Sequence, residues 1–217
     1  MPQSKNIIFY TAIIILSIIP ISIWITMYPL GDRFINLNTT LTSLGQISGL
    51  IGMTLLCLVF IVNIFKKFKI HHSIGTISFI LLIFHPLFLA AKYLALSTKQ
   101  AALFLLPGID WSINYGIIAL LVMEILLILT FFIKLKPVHW KASHMLLGIA
   151  FFFSILHVFL IQSDISRNIF LRYYIFALII IGIISLAYRI WHHYRETYKP
   201  KISEINEKDD NKNETQL

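Results

Sequence analysis

Eight histidines are distributed unevenly along a chain that is otherwise strongly apolar. His71 and His85 lie at the two ends of one apolar stretch, and His144 and His157 lie in another. In a helix the first pair would be separated by about 21 Å along the axis and the second pair by about 19.5 Å. Imidazole nitrogens bind metals and carry protons. If the two helices are parallel, the matched spacings predict two levels at which their histidines meet.

The composition predicts the elements that carry these histidines. Hydrophobic residues make up 58% of the 217 positions and charged residues 13%, a balance typical of an integral membrane protein. We expect an all-α membrane protein, a six-transmembrane-helix bundle. Stretches long enough to cross a hydrocarbon core of about 30 Å are residues 7–27, 43–65, 71–92, 112–133, 143–162 and 170–190.

The connecting segments predict the orientation of this bundle. Basic residues are concentrated after the second, fourth and sixth spans, as is typical of cytoplasmic segments. They are Lys66, Lys67, Lys69, Lys134, Lys136, Lys141, Arg189, Arg195, Lys199 and Lys201. We therefore expect both termini to be cytoplasmic and the third and fifth spans to be parallel. Contact with anionic membrane lipid explains the formal net charge of +8, so we expect no nucleic-acid partner.

Parallel spans place the histidines in two pairs. His71 is expected level with His144 near the inner surface, and His85 level with His157 near the outer surface. Each pair offers two imidazoles, as a b-type haem with two axial histidines requires. We therefore predict two haem b groups, with these four histidines as axial ligands of the iron. A helix-to-helix hydrogen bond is the simpler interpretation of any single histidine, but four in paired levels favour haem.

Other metal and redox centres fit the sequence less well. Ligands about 20 Å apart along one helix cannot share a zinc ion. Cys57 is the single cysteine, which excludes an internal disulfide, a thiolate cluster and a CxxCH haem attachment. The sequence identifies no catalytic residue. Redox chemistry in this chain would therefore depend on a bound cofactor.

A glycine follows each inner histidine by four residues, Gly75 after His71 and Gly148 after His144. A residue at this spacing lies on the same helix face one turn further along. Glycine there would leave room for a porphyrin lying against the helix. We therefore include Gly75 and Gly148 in the predicted haem site. The same spacing favours His71 over His72 as the inner ligand, although the choice between them stays open.

Two segments resemble a known membrane family. "HHSIGTISFILLIFHPL", residues 71–87, is similar to the third-helix motif of the ferric reductase-like transmembrane domain, which ferric reductases and NADPH oxidases share. "KPVHWKASHMLLGIAFFFSILHVFL", residues 136–160, resembles its fifth-helix motif. The resemblance covers residues 43–190 as a haem-binding core. Residues 1–42 are then a first transmembrane helix with an outer loop, and residues 191–217 a polar cytoplasmic tail.

The resemblance implies a membrane b-type cytochrome, the membrane subunit of an oxidoreductase. Two haems would carry electrons across a bacterial inner or plasma membrane to an extracytoplasmic acceptor such as ferric iron. Many relatives continue into flavin and nicotinamide domains, and this sequence contains no such region. The electron donor is therefore expected to be a separate flavoprotein or a quinol.

Two alternatives remain open. The haem-binding membrane subunit of bacterial methionine sulfoxide reductase has a similar length, lacks flavin domains and passes electrons to an extracytoplasmic reductase subunit. A proton-coupled transporter would use the histidines as a proton relay, with Glu124 in the fourth span as its second element. For Glu124 itself, a proton-donating role and a structural hydrogen bond to a neighbouring helix are both open. A haem absorption band would separate the cytochromes from the transporter.

Overall fold

The computed structural model describes residues 2–27, 29–94, 97–108, 110–133, 145–161 and 164–214. Every regular element within these ranges is an α-helix. In chain order the helices are α1 (Pro2–Met27), α2 (Leu30–Arg33), α3 (Leu37–Ile64), α4 (Phe68–Leu94), α5 (Thr98–Ala102), α6 (Trp111–Phe132), α7 (Leu147–Leu160), α8 (Asp164–Arg167) and α9 (Ile169–Glu214). The predicted all-α fold class is therefore confirmed for the described part of the chain.

Five of these helices, α1, α3, α4, α6 and α9, are long and apolar enough to cross a membrane. The chain is therefore a multi-pass membrane protein by the length and composition of its helices. The fifth predicted span, residues 143–162, corresponds to α7, an apolar helix of 14 residues. This is shorter than the roughly 20 residues that cross a bilayer. Six spans and cytoplasmic termini therefore stay predictions.

Side chains near the helix ends explain where two of the spans begin. The Asn36 side chain accepts a hydrogen bond from the backbone N–H of Thr39, and the Thr39 hydroxyl accepts one from the backbone N–H of Asn36. This reciprocal pair satisfies donors that the first turn of α3 would otherwise leave open. Asp110 caps α6 by accepting from the backbone N–H and hydroxyl of Ser112. Both caps fix the ends of helices that carry the site described below.

Helix α3 lies at the centre of the described bundle, where it packs against α1, α4 and α9. Its contact with α4 is the most extensive between any two helices. Small residues on α3 allow this approach: a Cβ built on Gly52 would lie 2.9 Å from the Leu82 side chain. The Ser78 hydroxyl of α4 also donates to the Gly52 carbonyl at 2.8 Å. Small residues and interhelical hydrogen bonds are typical of close packing between membrane helices.

The turn between α3 and α4 holds Lys66 in the left-handed region, with φ 53°. A side chain there brings Cβ close to the following carbonyl oxygen, at a cost of roughly 1–2 kcal/mol, whereas glycine pays no such penalty. We expect Lys66→Gly to stabilise the protein by about 0.5–1 kcal/mol, because glycine's larger entropy loss offsets part of the gain. Thermal unfolding in detergent, followed by helical circular dichroism, measures this change.

Lys69→Gly is the matched control for the Lys66 substitution. It removes the same charge, but it lies in the first turn of α4, where glycine loses more conformational freedom than lysine and relieves no left-handed strain. We therefore expect opposite signs for the two substitutions. Equal destabilisation by both would contradict the strain at Lys66.

Candidate functional site: two histidines across a cavity

Two of the predicted ligands lie side by side. His85 on α4 and His157 on α7 have ring centroids 6.3 Å apart, with their planes at 69°. The two residues come from different helix pairs, α3–α4 and α6–α7. The structure thus brings these two predicted ligands together, and their binding of one haem stays a prediction.

A backbone carbonyl on α3 orients His85. The ring Nδ1 lies 2.7 Å from the carbonyl oxygen of Gly45. A carbonyl can only accept, so Nδ1 carries the proton and Nε2 keeps its lone pair. One turn further along α3, Gly49 has no side chain to cover this carbonyl. A Cβ at Gly49 would lie 2.7 Å from the same Nδ1, which is closer than the ring can tolerate.

The α6–α7 pair repeats this arrangement with different residues. Nδ1 of His157 lies 2.6 Å from the carbonyl oxygen of Ser112 in the first turn of α6. Gly116 lies one turn further along, and a Cβ there would be 2.8 Å from Nδ1 of His157. Each histidine thus donates to a backbone carbonyl of the preceding spanning helix. It also packs on the glycine that lies four residues after that carbonyl on the same helix. Both rings consequently keep Nε2 available to bind a metal.

His71 is held by α3 in a similar way. Its Nδ1 lies 3.1 Å from the carbonyl oxygen of Val59. The separation of His71 and His85 along α4 equals that of their two acceptor carbonyls along α3. His71 is half-buried and His72 is exposed. This difference supports His71 over His72 as the inner ligand. Its predicted partner, His144, lies outside the described residues.

Gly75 and Gly148, the two glycines of the predicted haem site, each lie close to an aliphatic side chain of another helix. A Cβ at Gly75 would lie 3.7 Å from Val59 of α3, an ordinary contact, and one at Gly148 would lie 3.2 Å from Leu186 of α9. Their role in making room for an inner porphyrin stays a prediction. The glycines that touch histidine rings are instead Gly49 and Gly116.

Both histidines line a cavity of about 470 Å³ between the two helix pairs. Pockets that hold cofactors usually occupy about 300–1,000 Å³ and are mostly apolar with a few polar groups. The walls here are largely Leu, Ile and Met side chains. Polar groups on the spanning helices include Gln46 on α3 and Glu124 on α6. The cavity therefore has the size and lining of a cofactor site.

A buried polar cluster ties α1 to one end of this cavity. The indole N–H of Trp24 donates to the Asp164 carboxylate at 3.0 Å. The Arg33 guanidinium lies over the Trp24 ring, 3.3 Å from its centroid, and donates to the Trp24 carbonyl oxygen at 3.0 Å. All three side chains are buried. Because Asp164 lines the cavity, the cluster connects the first span to the cavity wall.

We expect Trp24→Phe to destabilise the protein by about 1–3 kcal/mol, because it leaves a buried carboxylate without its indole donor. Thermal unfolding in detergent measures this, and each kcal/mol corresponds to a shift of about 2–4 °C at this chain length. Trp111→Phe is the matched control, because the Trp111 side chain is exposed. Equal shifts for the two variants would contradict a structural role for the indole hydrogen bond.

The Asp110 cap supports the orientation of His157 from outside the membrane span. Hydrogen bonds from the Ser112 side chain, and then from its backbone N–H, hold the pKa of Asp110 below its usual value. The carboxylate form therefore persists to lower pH than in the unfolded chain. Its contribution to stability is present above the unfolded pKa and is lost as pH falls through the lowered folded pKa. Near neutral pH the cap holds the turn whose Ser112 carbonyl accepts from His157.

The two rings lie close enough for both to reach one bound group. Their centroids are 6.3 Å apart, and a metal bonds to an imidazole nitrogen at about 2.0–2.1 Å. Within the described ranges, no three His, Cys, Asp or Glu side chains group together to hold an ion by themselves. A haem iron needs only two protein ligands, because the porphyrin supplies the remaining nitrogens.

Sequence reasoning missed Gly49, Gly116 and the two acceptor carbonyls. A weak signal was present, since Gly45, Gly49 and Gly52 lie at helical spacing in the second span and Gly116 lies in the fourth. In comparisons with protein-family models, curated proteins and solved structures, the chain matches none of them. The resemblance to the ferric reductase-like domain therefore stays a prediction from the motifs.

Proposed function

We propose that this protein is a membrane b-type cytochrome, the membrane subunit of an oxidoreductase. It would carry electrons across the bilayer through two haem b groups, from a cytoplasmic flavoprotein or a quinol to an extracytoplasmic acceptor such as ferric iron. The observation that supports this most strongly is the pair of rings from His85 and His157, 6.3 Å apart across an apolar cavity.

The hydrogen bonds at Nδ1 strengthen the proposal. Histidines that bind metals usually donate their other ring N–H to a carbonyl or carboxylate, which fixes the tautomer and raises the basicity of the ligand nitrogen. His71, His85 and His157 all have Nδ1 within hydrogen-bonding distance of a backbone carbonyl. At His85 and His157 this hydrogen bond leaves Nε2 with the lone pair that a metal ligand needs.

The residues of the chain have distinct tasks in this function. Nε2 of His85 and of His157 would hold one haem between the two helix pairs. Nε2 of His71 would supply one of the two protein ligands of the second haem. The haem supplies reversible one-electron redox chemistry when bound. Leu, Ile and Met side chains around the cavity would give the bound group a largely apolar surrounding of low dielectric constant. The carbonyls of Gly45 and Ser112 prevent the imidazoles from rotating away.

The proposed topology completes the path for electrons. With both termini cytoplasmic and α7 part of a sixth span, His71 would lie near the inner surface and His85 with His157 near the outer surface. The motifs at residues 71–87 and 136–160 support this arrangement by their resemblance to a two-haem domain. Electrons from the donor would then enter the protein near His71 and leave for the acceptor near His85 and His157.

The decisive experiment is the visible spectrum of the protein purified from membranes supplied with haem. We expect a reduced-minus-oxidised spectrum of six-coordinate low-spin haem b, with close to two haems per chain. A nicotinamide cofactor alone should leave the haem oxidised, whereas an added flavoprotein or quinol should reduce it. A protein without low-spin haem would exclude the cytochrome and favour the proton-coupled transporter. One haem per chain would favour the methionine sulfoxide reductase-like subunit.

A further inference from the structure

Glu124 is a carboxyl group in the same cavity as the two histidines. It lies in the interior of α6, half-buried, and its side chain lines the cavity wall. Gly116, which contacts His157, lies eight residues earlier on α6, so the two positions are about 12 Å apart along the helix axis. Glu124 is thus placed deeper in the span than the His85–His157 pair, at a distance over which charges still interact in a low dielectric medium.

The charged and titratable groups that face this cavity are few. Among the described residues they are His85 on α4, His157 on α7, and Asp164 and Arg167 on α8, besides Glu124 itself. The part of α3 that lines the cavity contributes no titratable side chain. Asp164 already accepts a hydrogen bond from Trp24. Within the described walls, Glu124 is therefore the one carboxyl that a membrane-spanning helix places in the cavity.

We propose that Glu124 binds a proton when the site between His85 and His157 gains an electron, and releases it when the electron leaves. This inference rests on the function proposed above and extends it from electron transfer to proton-coupled electron transfer. Glu124 is then a proton-binding residue of the redox site, although it supplies no ligand to the iron.

Charge balance in the apolar cavity is the physical reason. An added electron brings a negative charge about 12 Å along the helix axis from Glu124, in a medium that screens poorly, and a proton bound at Glu124 offsets that charge. In this proposal Glu124 is a carboxylate before the electron arrives and a carboxylic acid afterwards. The electron comes from the flavoprotein or quinol donor, and the proton comes from water that reaches the cavity. Electron and proton together leave the net charge of the cavity unchanged.

The test is a spectroelectrochemical titration of the full-length haem-loaded protein in lipid nanodiscs, repeated across neutral pH. For one proton per electron, the tenfold change in proton concentration per pH unit lowers the midpoint potential by up to about 59 mV. We expect this slope for the outer haem in the wild-type protein. Glu124→Gln should flatten it, whereas Glu124→Asp, which keeps the carboxyl, should retain most of it. Asp32→Asn, which removes an exposed carboxyl elsewhere, should leave it unchanged.

An infrared difference spectrum gives a readout independent of the potential. Reduction of the wild-type protein should produce the C=O band of a newly protonated carboxyl, which shifts in Glu124→Asp and is absent in Glu124→Gln. A pH-independent wild-type potential would overturn the proposal, as would a slope that persists in a Glu124→Gln protein with normal haem content. Both of those results leave the cytochrome function intact. A wild-type protein without low-spin haem would reject the cytochrome and the proton coupling together.

Discussion

Replacing either His85 or His157 with alanine is expected to remove the same haem. The two rings lie 6.3 Å apart and would bind opposite sides of one iron. Loss of either ligand leaves a five-coordinate site, and we expect haem affinity there to fall by more than about 100-fold, beyond the effect of losing an orienting partner. Haem content should decrease from two per chain to one, and the two variants should give matching reduced-minus-oxidised spectra.

The exposed His72 provides the matched control. His72→Ala removes an imidazole from the same helix, and we expect it to leave both haems in place. Added imidazole distinguishes a lost ligand from a misfolded protein, because it can fill the space left by His85→Ala and restore a low-spin spectrum. If His85→Ala and His157→Ala remove different haems, the two residues do not share an iron. If His72→Ala abolishes the inner haem and His71→Ala spares it, the inner ligand is His72.

Gly49→Ala and Gly116→Ala should weaken haem binding without removing any ligand. The new Cβ atoms would lie 2.7 Å and 2.8 Å from Nδ1 of His85 and of His157, respectively. Each ring must therefore move away from its carbonyl, and its Nε2 moves with it. Loss of an orienting partner of a metal ligand typically reduces affinity by 10–100-fold. Titration of the apoprotein with haem measures this loss, and both variants should affect the outer haem alone.

Gly31→Ala is the control for the glycine substitutions, because a Cβ there would meet nothing within 4 Å. We expect it to bind both haems like the wild type. Full occupancy of the outer haem in Gly49→Ala and Gly116→Ala would contradict the contact between glycine and imidazole. Both substitutions act on the same haem. The double variant should therefore lose no more haem than complete loss of the outer haem allows.

The meeting of His85 with His157 could be predicted from sequence because it depends on distance along helices, which the residue numbers give directly. A helix rises by a fixed amount per residue, so matched spacings predict matched depths. Composition likewise predicted the apolar helices, since the bilayer requires about 20 apolar residues in a row. At five of the six predicted spans, the structure describes a helix that is long enough to cross the membrane.

The contacts of the rings could not be predicted in this way. Spacing along one helix identified candidate glycines only on the helices of the histidines themselves, whereas Gly49 and Gly116, which touch the rings of His85 and His157, lie on the opposite helices. Which residues meet across a helix pair depends on the rotation and relative shift of the two helices. Those are set by side-chain packing, such as Leu82 against Gly52, and no periodicity within one span encodes them.

Glu124 illustrates a similar limit. The sequence places a carboxyl at membrane depth, which by itself suits a proton donor and a structural hydrogen bond equally well. Its exposure to the cavity, rather than to a neighbouring helix alone, became visible with the packing of α6. The depth of a polar residue in the membrane can therefore be predicted from sequence, whereas its exposure to a cavity cannot.

Both orienting acceptors, at Gly45 and Ser112, are main-chain oxygens, which every amino acid possesses. No substitution there deletes the acceptor, so a genetic screen cannot reveal it through the loss of a side chain. What this site requires is the absence of a side chain one turn further on, at Gly49 and Gly116. The apolar residues of the cavity wall can be exchanged for others of similar size and polarity. Its most durable trace in a distant homologue would be a histidine 40 or 45 residues after its carbonyl, with a glycine one turn beyond that carbonyl.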